Sequence, residues 1–176
     1  VSKNTKPNFS GPYILKPRFG GSSIGVEVVE DYETALKLSS NSKIYSQGST
    51  VEKFLENSND LLIGIRTYPN LDFSEIEKPI RTSSFELFSY NDKYLDNGGL
   101  EGSKRELPAT ISTEIESQIK KILTLFVEQI EIRGISRVDF LLHNENLYLN
   151  EVNTIPGSHA LYPVSYTHLT LPTICS

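Results

Sequence analysis

The segment RVDFLLHNENLYLNEVNTIPG, residues 137–157, decides how the rest of the chain is interpreted. It contains two runs in which apolar and polar residues alternate, 137–143 and 147–153, on either side of a short polar turn. Alternating runs around a turn predict a β-hairpin, because side chains point to opposite faces along a strand. We predict that residues 144–146 form a three-residue loop that closes the hairpin.

This register brings charged side chains together: Asp139 lies opposite Glu151, and Arg137 lies opposite Asn153. Opposed residues point the same way, with Cβ atoms about 5 Å apart. Facing carboxylates repel, whereas a hard cation such as Mg²⁺ takes oxygen ligands of this kind. Asp139, Glu151 and Asn153 are therefore candidate metal ligands, with Arg137 placed to meet an anion. The alternative is a solvent-facing polar strand face, and a two-residue loop would send Asp139 and Glu151 to opposite faces.

Composition excludes several classes of protein. The chain has 176 residues, enough for one domain or two small ones, and its net charge of −5 argues against a nucleic-acid partner. No apolar run approaches the ~20 residues that a membrane span needs. The single Cys175 excludes an internal disulfide and favours a reducing compartment such as the cytoplasm. The chain contains no Met, even at position 1, so we expect a fragment of a longer protein.

Residues Arg18–Gly25, hereafter the Gly–Ser loop, separate two predicted strands at 13–16 and 26–29. Its glycines, hydroxyls and backbone N–H groups suit a phosphate cradle. It is not a Walker loop, because no Gly-Lys-Ser/Thr follows. Taken alone, the loop is better explained as a plain turn.

The first half of the chain continues with short elements. Asp31 is predicted to cap a helix through about Ser40, residues 50–55 alternate like a strand, and the polar break 56–59 divides two lobes. Further strands are predicted at 60–68, 73–79 and 82–90.

The second half contains one long helix. Residues 91–108 lack an apolar pattern and read either as an active-site cover or as a surface loop. Residues 112–132 carry apolar side chains at helical spacing, with Thr113 and Glu116 as a capping box and Gly134 as the C-terminal cap.

Taken in order, these features resemble the ATP-grasp carboxylate–amine ligases, most closely the D-alanine–D-alanine ligases, over roughly residues 11–162. The resemblance rests on the Lys-Pro strand, the Gly-Ser-Ser-x-Gly loop, Val-Glu-Lys-Phe-Leu, Lys-Tyr-Leu, Arg-Val-Asp-Phe and Asn-Glu-Val-Asn-Thr-x-Pro-Gly. It implies an α+β, ATP-grasp fold, with two α+β lobes whose antiparallel sheets clamp ATP and with the family's N-terminal domain missing. We predict a partial small lobe at 1–56, a C-terminal lobe at 57–163 and a non-native tail at 164–176. The alternative for the tail is an ordinary divergent C-terminus.

The resemblance also assigns roles to single residues. Those matching ATP-binding positions are Lys16, Ser22, Ser23, Gly25, Glu52, Lys53, Leu55, Lys93 and, with the neighbouring Asn59 as alternative, Asp60. Those matching the ligands of two Mg²⁺ (or Mn²⁺) ions are Asp139, Glu151 and Asn153. Arg137, Gly157 and Lys93 match catalytic groups, and Ser158 and Leu161 lie where the family holds a substrate carboxylate. His143 and His159 are interpreted as surface or structural residues rather than catalytic ones.

The implied activity is ATP-dependent joining of two D-alanines through an acyl phosphate, for the cell-wall peptidoglycan precursor. D-alanine and ATP are the expected partners, with no nucleic acid or membrane, and the full-length protein is expected to be cytoplasmic and homodimeric. We expect the isolated fragment to be inactive. Two alternatives stay open: an ATP-grasp ligase for another acid and amine, and a fragment that binds Mg-ATP without turnover.

Overall fold

A computed structural model describes residues 6–21, 23–80 and 105–156. Their contacts divide the chain into two compact units that separate after Glu56, at the predicted polar break. Within the described ranges, no helix is long and apolar enough to span a membrane. The predicted strand at 82–90 lies outside these ranges.

The first unit is a three-stranded antiparallel sheet with one helix. The strands are β1 (Tyr13–Pro17), β2 (Glu27–Val29) and β3 (Ser49–Lys53), in the order β2-β1-β3. Helix α1 (Tyr32–Asn41) and a 3₁₀ turn (Lys43–Tyr45) connect β2 to β3. The predicted cap is confirmed, because the Asp31 carboxylate accepts a 2.8 Å hydrogen bond from the Thr34 N–H.

One face of this small sheet forms a core, and the other carries Lys16, Thr50 and Glu52 beside the apolar Ile14 and Val28. Tyr13 and Leu15 are buried on the core face, where Tyr13 packs with Val29 and Ala35. Because side chains alternate, Lys16 lies on the opposite face of β1.

The second unit is a five-stranded antiparallel sheet with the order β6-β5-β4-β7-β8. Its strands are β4 (Asn59–Arg66), β5 (Asp72–Pro79), β6 (Arg105–Glu106), β7 (Ile135–His143) and β8 (Asn146–Asn153). Helix α2 (Thr113–Gln129) packs on one face and contributes Ile115, Ile119 and Leu123 to the core. Val138 and Phe140 of β7 belong to the same cluster and are fully buried.

The ends of α2 differ from the sequence prediction. The N-cap is Ser112, whose hydroxyl accepts from the Ile115 N–H at 3.3 Å, instead of Thr113. The helix ends at Gln129, so Gly134 is not its cap. Instead, the Gly134 N–H donates to the Thr67 hydroxyl at 3.0 Å, and the Gly134 carbonyl accepts from the Thr67 N–H at 2.9 Å. Gly134 therefore joins the start of β7 to the end of β4.

The hairpin of β7 and β8 has the predicted pairing but not the predicted loop. The loop has two residues, Asn144 and Glu145, both with positive φ (49° and 62°), as a type I′ turn requires. Such a loop alone would slip the register by one. The slip is reversed by a β-bulge, because β8 contains an additional residue, Asn150, between the partners of Asp139 and Phe140. The prediction of a three-residue loop was therefore wrong, while the facing of Asp139 and Glu151 is confirmed.

Candidate functional site

Four polar side chains of β7 and β8 share the sheet face opposite α2, and we call them the carboxylate face: Arg137, Asp139, Glu151 and Asn153. The register pairs Arg137 with Asn153 and Asp139 with Glu151. They point away from α2 because the residues between them, such as Val138, point into the core. The predicted site residues on this hairpin are thus brought together by sheet geometry.

Asp139 is the centre of this group. The Arg137 guanidinium donates to it twice, from Nε to Oδ1 at 2.7 Å and from Nη2 to Oδ2 at 2.8 Å. The amide nitrogen of Asn153 donates to the same Oδ2 at 3.3 Å. The Arg137 and Asp139 side chains are only 16% and 13% exposed. A bidentate ion pair of this kind fixes the relative orientation of the guanidinium and carboxylate planes, because the two groups match in geometry.

The chemistry of the donor set fits a hard divalent cation. Arg137 balances one of the two carboxylates, so the four side chains together carry one net negative charge. A carboxylate has about four lone-pair sites, so Asp139 can accept a metal besides Arg137. Asn153 donates through its nitrogen, which leaves its amide oxygen as an acceptor. Within 6–21, 23–80 and 105–156, no three Asp, Glu, His or Cys side chains form a metal-binding group. The predicted set therefore depends on Asn153 as its third ligand.

The same sheet face continues onto β4 and β5. Leu62 pairs with Asp139 on one side and with Glu77 on the other, so Glu77, Asp139 and Glu151 lie in one row across the sheet. Glu77 is 4% exposed, and the alternating pattern did not single it out. Asp60 precedes Leu62 by two residues and shares this face, whereas Asn59 points to the other face. This alternation favours Asp60 over Asn59 as the functional residue.

In the first unit, Lys16 and Glu52 lie on the face of the small sheet opposite its core. Lys16 pairs with Thr50 and Ile14 with Glu52, so the two charges are diagonal neighbours, and the Lys16 Nζ lies 2.7 Å from Glu52 Oε2. Their side chains are 24% and 47% exposed. The pair is therefore open to solvent and to an incoming ligand.

The other nucleotide-binding candidates of the first unit are less closely grouped. Lys53 pairs with Tyr13 and so lies on the face opposite Glu52. Leu55 follows the end of β3 and is partly buried. Among these candidates, Lys16 donates a hydrogen bond to Glu52.

The Gly–Ser loop connects β1 to β2 through two tight turns. The Ile24 N–H donates to the Gly21 carbonyl at 3.1 Å, and the Val26 N–H donates to the Ser23 carbonyl at 3.2 Å. Ser23 and Gly25 have positive φ values of 59° and 75°. Ser22 lies outside the described residues, as do Lys93, Gly157, Ser158 and Leu161, so their roles stay predictions.

Sequence reasoning missed Tyr45, a buried tyrosine that contacts this loop. Its hydroxyl lies 2.8 Å from the Gly25 carbonyl oxygen and 3.1 Å from Glu27 Oε1. Burial, followed by the charge of Glu27, raises the pKa of Tyr45 to about 12. The hydroxyl is therefore a hydrogen-bond donor throughout the physiological pH range. No local pattern reveals this contact, because Tyr45 and Gly25 are 20 residues apart.

A wide groove in the first unit does not coincide with the predicted nucleotide residues. It is lined by the segments around Phe9 and Asp31, on the side of the sheet away from Lys16 and Glu52. None of the predicted ligand-binding side chains lines this groove, so the groove is not taken as the nucleotide site.

The chain is similar to known proteins over most of its length. The profile of the family described as D-ala D-ala ligase C-terminus matches residues 1–170, which includes the first part of the predicted tail. The chain is 36% identical over 152 residues to a D-alanine--D-alanine ligase of Thermosipho africanus (strain TCF52B), covering 86% of this chain and 40% of that protein. The chain spans less than half the length of the curated relatives it matches.

Solved structures show the same similarity. The D-alanine–D-alanine ligase from Helicobacter pylori superposes with a TM-score of 0.64 and 30% identity, over 90% of this chain and 46% of that chain. The ligase from Bacillus anthracis complexed with ATP shares the fold, with a TM-score of 0.61 at 19% identity over 89% of this chain and 48% of that one.

Proposed function

Because this chain belongs to the D-ala D-ala ligase C-terminus family and has the ATP-grasp fold, we propose that it is the nucleotide- and metal-binding part of a ligase that joins two D-alanines using ATP. The observation that carries the proposal is the carboxylate face. Asp139 and Glu151 are held opposite each other although the loop length alone would separate them. The bulge at Asn150 keeps both carboxylates on one face.

Within this proposal, the carboxylate face holds the metal. Asp139, Glu151 and Asn153 would hold two Mg²⁺ ions, with Mn²⁺ as a substitute. The bound metal supplies positive charge to the phosphate oxygens of ATP. Arg137 orients Asp139 through two short hydrogen bonds and adds a cation beside it.

Most of the nucleotide-binding residues in this proposal belong to the first unit. Lys16 contacts ATP phosphates, and its present partner Glu52 competes with them for the ammonium group. Glu52, Lys53 and Leu55 hold adenine, and Asp60 binds the ribose. Ser23 and Gly25, with Ser22, place backbone N–H groups and hydroxyls over the phosphates. Lys93 adds a second phosphate-binding lysine.

The reaction itself consists of two transfers. The carboxylate of the first D-alanine attacks the γ-phosphorus of ATP, which forms an acyl phosphate and releases ADP. The amine of the second D-alanine then attacks the acyl carbon, and phosphate leaves. Arg137 and Gly157 stabilise the negative charge of the tetrahedral intermediate, while Ser158 and Leu161 bind a substrate carboxylate. This is charge stabilisation by preorganised groups, so no nucleophilic side chain is required.

The proposal also covers the location and the partners of the longer protein. We place the longer protein in the cytoplasm as a homodimer whose partners are ATP and D-alanine, in peptidoglycan precursor synthesis. The net charge of −5 argues against nucleic acid as a further partner.

Calorimetric titration of the 176-residue chain with ATP tests the proposal. Binding is expected with Mg²⁺ present and is expected to weaken at least tenfold when EDTA removes the metal. A longer protein that contains this chain should release ADP only when D-alanine is supplied. Equal ATP binding with and without Mg²⁺ would contradict the metal assignment, and ADP release that ignores D-alanine would contradict the substrate assignment.

A further inference from the structure

The Gly–Ser loop is attached at both ends to one short segment. At its start, the Arg18 N–H donates to the Gly48 carbonyl at 2.9 Å, and the Gly48 N–H donates to the Tyr45 carbonyl at 2.9 Å. At its other end, the Tyr45 hydroxyl lies 2.8 Å from the Gly25 carbonyl oxygen. We call residues 43–48 the clasp. The clasp therefore holds the first and the last residue of the loop.

The contact between the clasp and Gly25 is specific in shape. Gly25 has a φ of 75°, and a Cβ atom built on it would collide with Ile44 Cδ1. Ile44 and Tyr45 are neighbours in the 3₁₀ turn, so one packs against the Gly25 α-carbon while the other contacts the Gly25 carbonyl. Only glycine combines this φ with this close approach.

A single hydroxyl proton serves two acceptors at this point. Glu27 Oε1 lies 3.1 Å from the Tyr45 oxygen, and both the carboxylate and the Gly25 carbonyl can only accept. Tyr45 is 2% exposed, so water does not replace the hydroxyl easily. The ring packing and the hydroxyl together fix the position at which the loop returns to β2.

The tip of the loop contrasts with its ends. Phe19 and Ile24 are 64% and 57% exposed. A Cβ atom at Gly21 would meet nothing within 4 Å. The ends are therefore fixed, while the tip is open to solvent and to a ligand.

We infer that Tyr45 is a positioning residue, which anchors the Gly–Ser loop through Gly25 so that the loop tip is held ready for the phosphates of a nucleotide. This inference rests on the proposed function, because it takes the loop as the phosphate cover. Tyr45 touches no reacting atom and acts only through the loop.

The test replaces Tyr45 by Phe, which keeps the packed ring and removes the hydroxyl. Loss of one buried hydrogen bond predicts a rise of about threefold to tenfold in the Kd for Mg-ATP. The Kd for adenosine, which has no phosphates, is expected to stay unchanged in the same calorimetric assay. The Tyr13→Phe variant is the matched control: Tyr13 is 3% exposed in the same unit, and its hydroxyl donates to the Phe9 carbonyl at 2.9 Å, away from the loop. It should change neither Kd.

Amide hydrogen exchange measured by NMR gives an independent readout. In the Tyr45→Phe variant, the amides of residues 18–26 should exchange faster, while those of β1 and β3 keep their rates. Equal weakening of Mg-ATP and adenosine, or unchanged exchange in the loop, would overturn the inference. If the wild-type chain does not bind Mg-ATP, the proposed function fails, and the exchange data still decide whether Tyr45 anchors the loop.

The wild-type chain offers a measurement that does not depend on any variant. The Arg18 and Gly48 amides should exchange slowly and those of Gly20 and Gly21 rapidly. If the Arg18 and Gly48 amides exchanged as rapidly as those of Gly20 and Gly21, the clasp would not hold the loop.

Discussion

The two sheets hold their charged pairs in different ways. In the second unit, Arg137 and Asp139 lie on one strand, β7, between two others, and are 16% and 13% exposed. In the first unit, Lys16 and Glu52 join β1 to the edge strand β3 and are 24% and 47% exposed. The first arrangement is preorganised by the sheet and its helix, whereas the second can open when a ligand arrives. Substitutions in the two pairs should therefore have unequal effects.

The largest expected effect is on turnover. Asp139→Asn and Glu151→Gln remove the charge of a proposed metal ligand with little change in shape. In a longer protein with ligase activity, each should lower kcat by at least about a hundredfold, since a metal contributes several kcal/mol to a phosphoryl-transfer transition state. Steady-state ADP release measures the effect, with Glu145→Gln in the exposed hairpin turn as the control. Near-normal rates for both variants would remove the metal assignment.

The next effect concerns register. Inserting one alanine after Asn150 adds a residue beyond the one that the bulge accommodates, so Glu151 should move opposite Val138 and turn towards the core. Mg²⁺-dependent ATP binding should be lost, because Asp139 and Glu151 then point to opposite faces. Asn150→Ala keeps the bulge and should preserve that binding. An unchanged Mg²⁺ response in the insertion variant would show that the register of β8 is not what aligns the carboxylates.

The stability of the two ion pairs gives a direct comparison. Arg137→Met leaves a largely buried carboxylate without its guanidinium and should lower the free energy of unfolding by about 2 kcal/mol. Lys16→Met breaks an exposed pair and should lower it by less than about 1 kcal/mol. Urea denaturation of both variants measures the difference. Equal losses of unfolding free energy in the two variants would contradict the claim that the Arg137–Asp139 pair is held more firmly than the Lys16–Glu52 pair.

The smallest effect is a pH dependence in the first unit. The hydrogen bond from the Thr34 N–H, followed by that from the Thr34 hydroxyl, holds the pKa of Asp31 below its ordinary value. A depressed pKa means that ionised Asp31 stabilises the fold above its ordinary pKa of about 3.9 and loses this contribution as pH falls through the folded-state value. Asp31→Asn keeps a cap that does not titrate. The stability difference between wild type and this variant should be constant from about pH 5 to pH 8 and should change only below that range; a change near neutral pH would contradict it.

The sequence predicted both helices and every described strand except β6, which lies within the segment 91–108 that lacks an apolar pattern. The details came from contacts between distant residues. Alternation located β7 and β8, and the facing of Asp139 and Glu151 was correct for an incomplete reason. The turn is one residue shorter than predicted, and β8 contains one additional residue, so the two shifts of register cancel. The alternation of apolar and polar residues reveals neither shift. Asn144 was the available signal, because Asn tolerates the left-handed conformation that a two-residue turn needs.

Other features could not be predicted from local pattern. Gly134 resembled a helix cap, but it forms hydrogen bonds to Thr67, whose position depends on the pairing of β4 with β7. The contact of Tyr45 with Gly25 depends on packing between distant residues, and the place of Glu77 in one row with Asp139 depends on strand register. Such residues look ordinary in sequence because their partners are far away along the chain.

The most direct test of the carboxylate face is a Mn²⁺ titration followed by electron paramagnetic resonance, in the presence of ATP. Wild type and Glu145→Gln should bind Mn²⁺ beyond the amount that free ATP binds, whereas Asp139→Asn and Glu151→Gln should not. If both ligand variants bound Mn²⁺ as wild type does, the metal would lie elsewhere, and the central claim would be wrong.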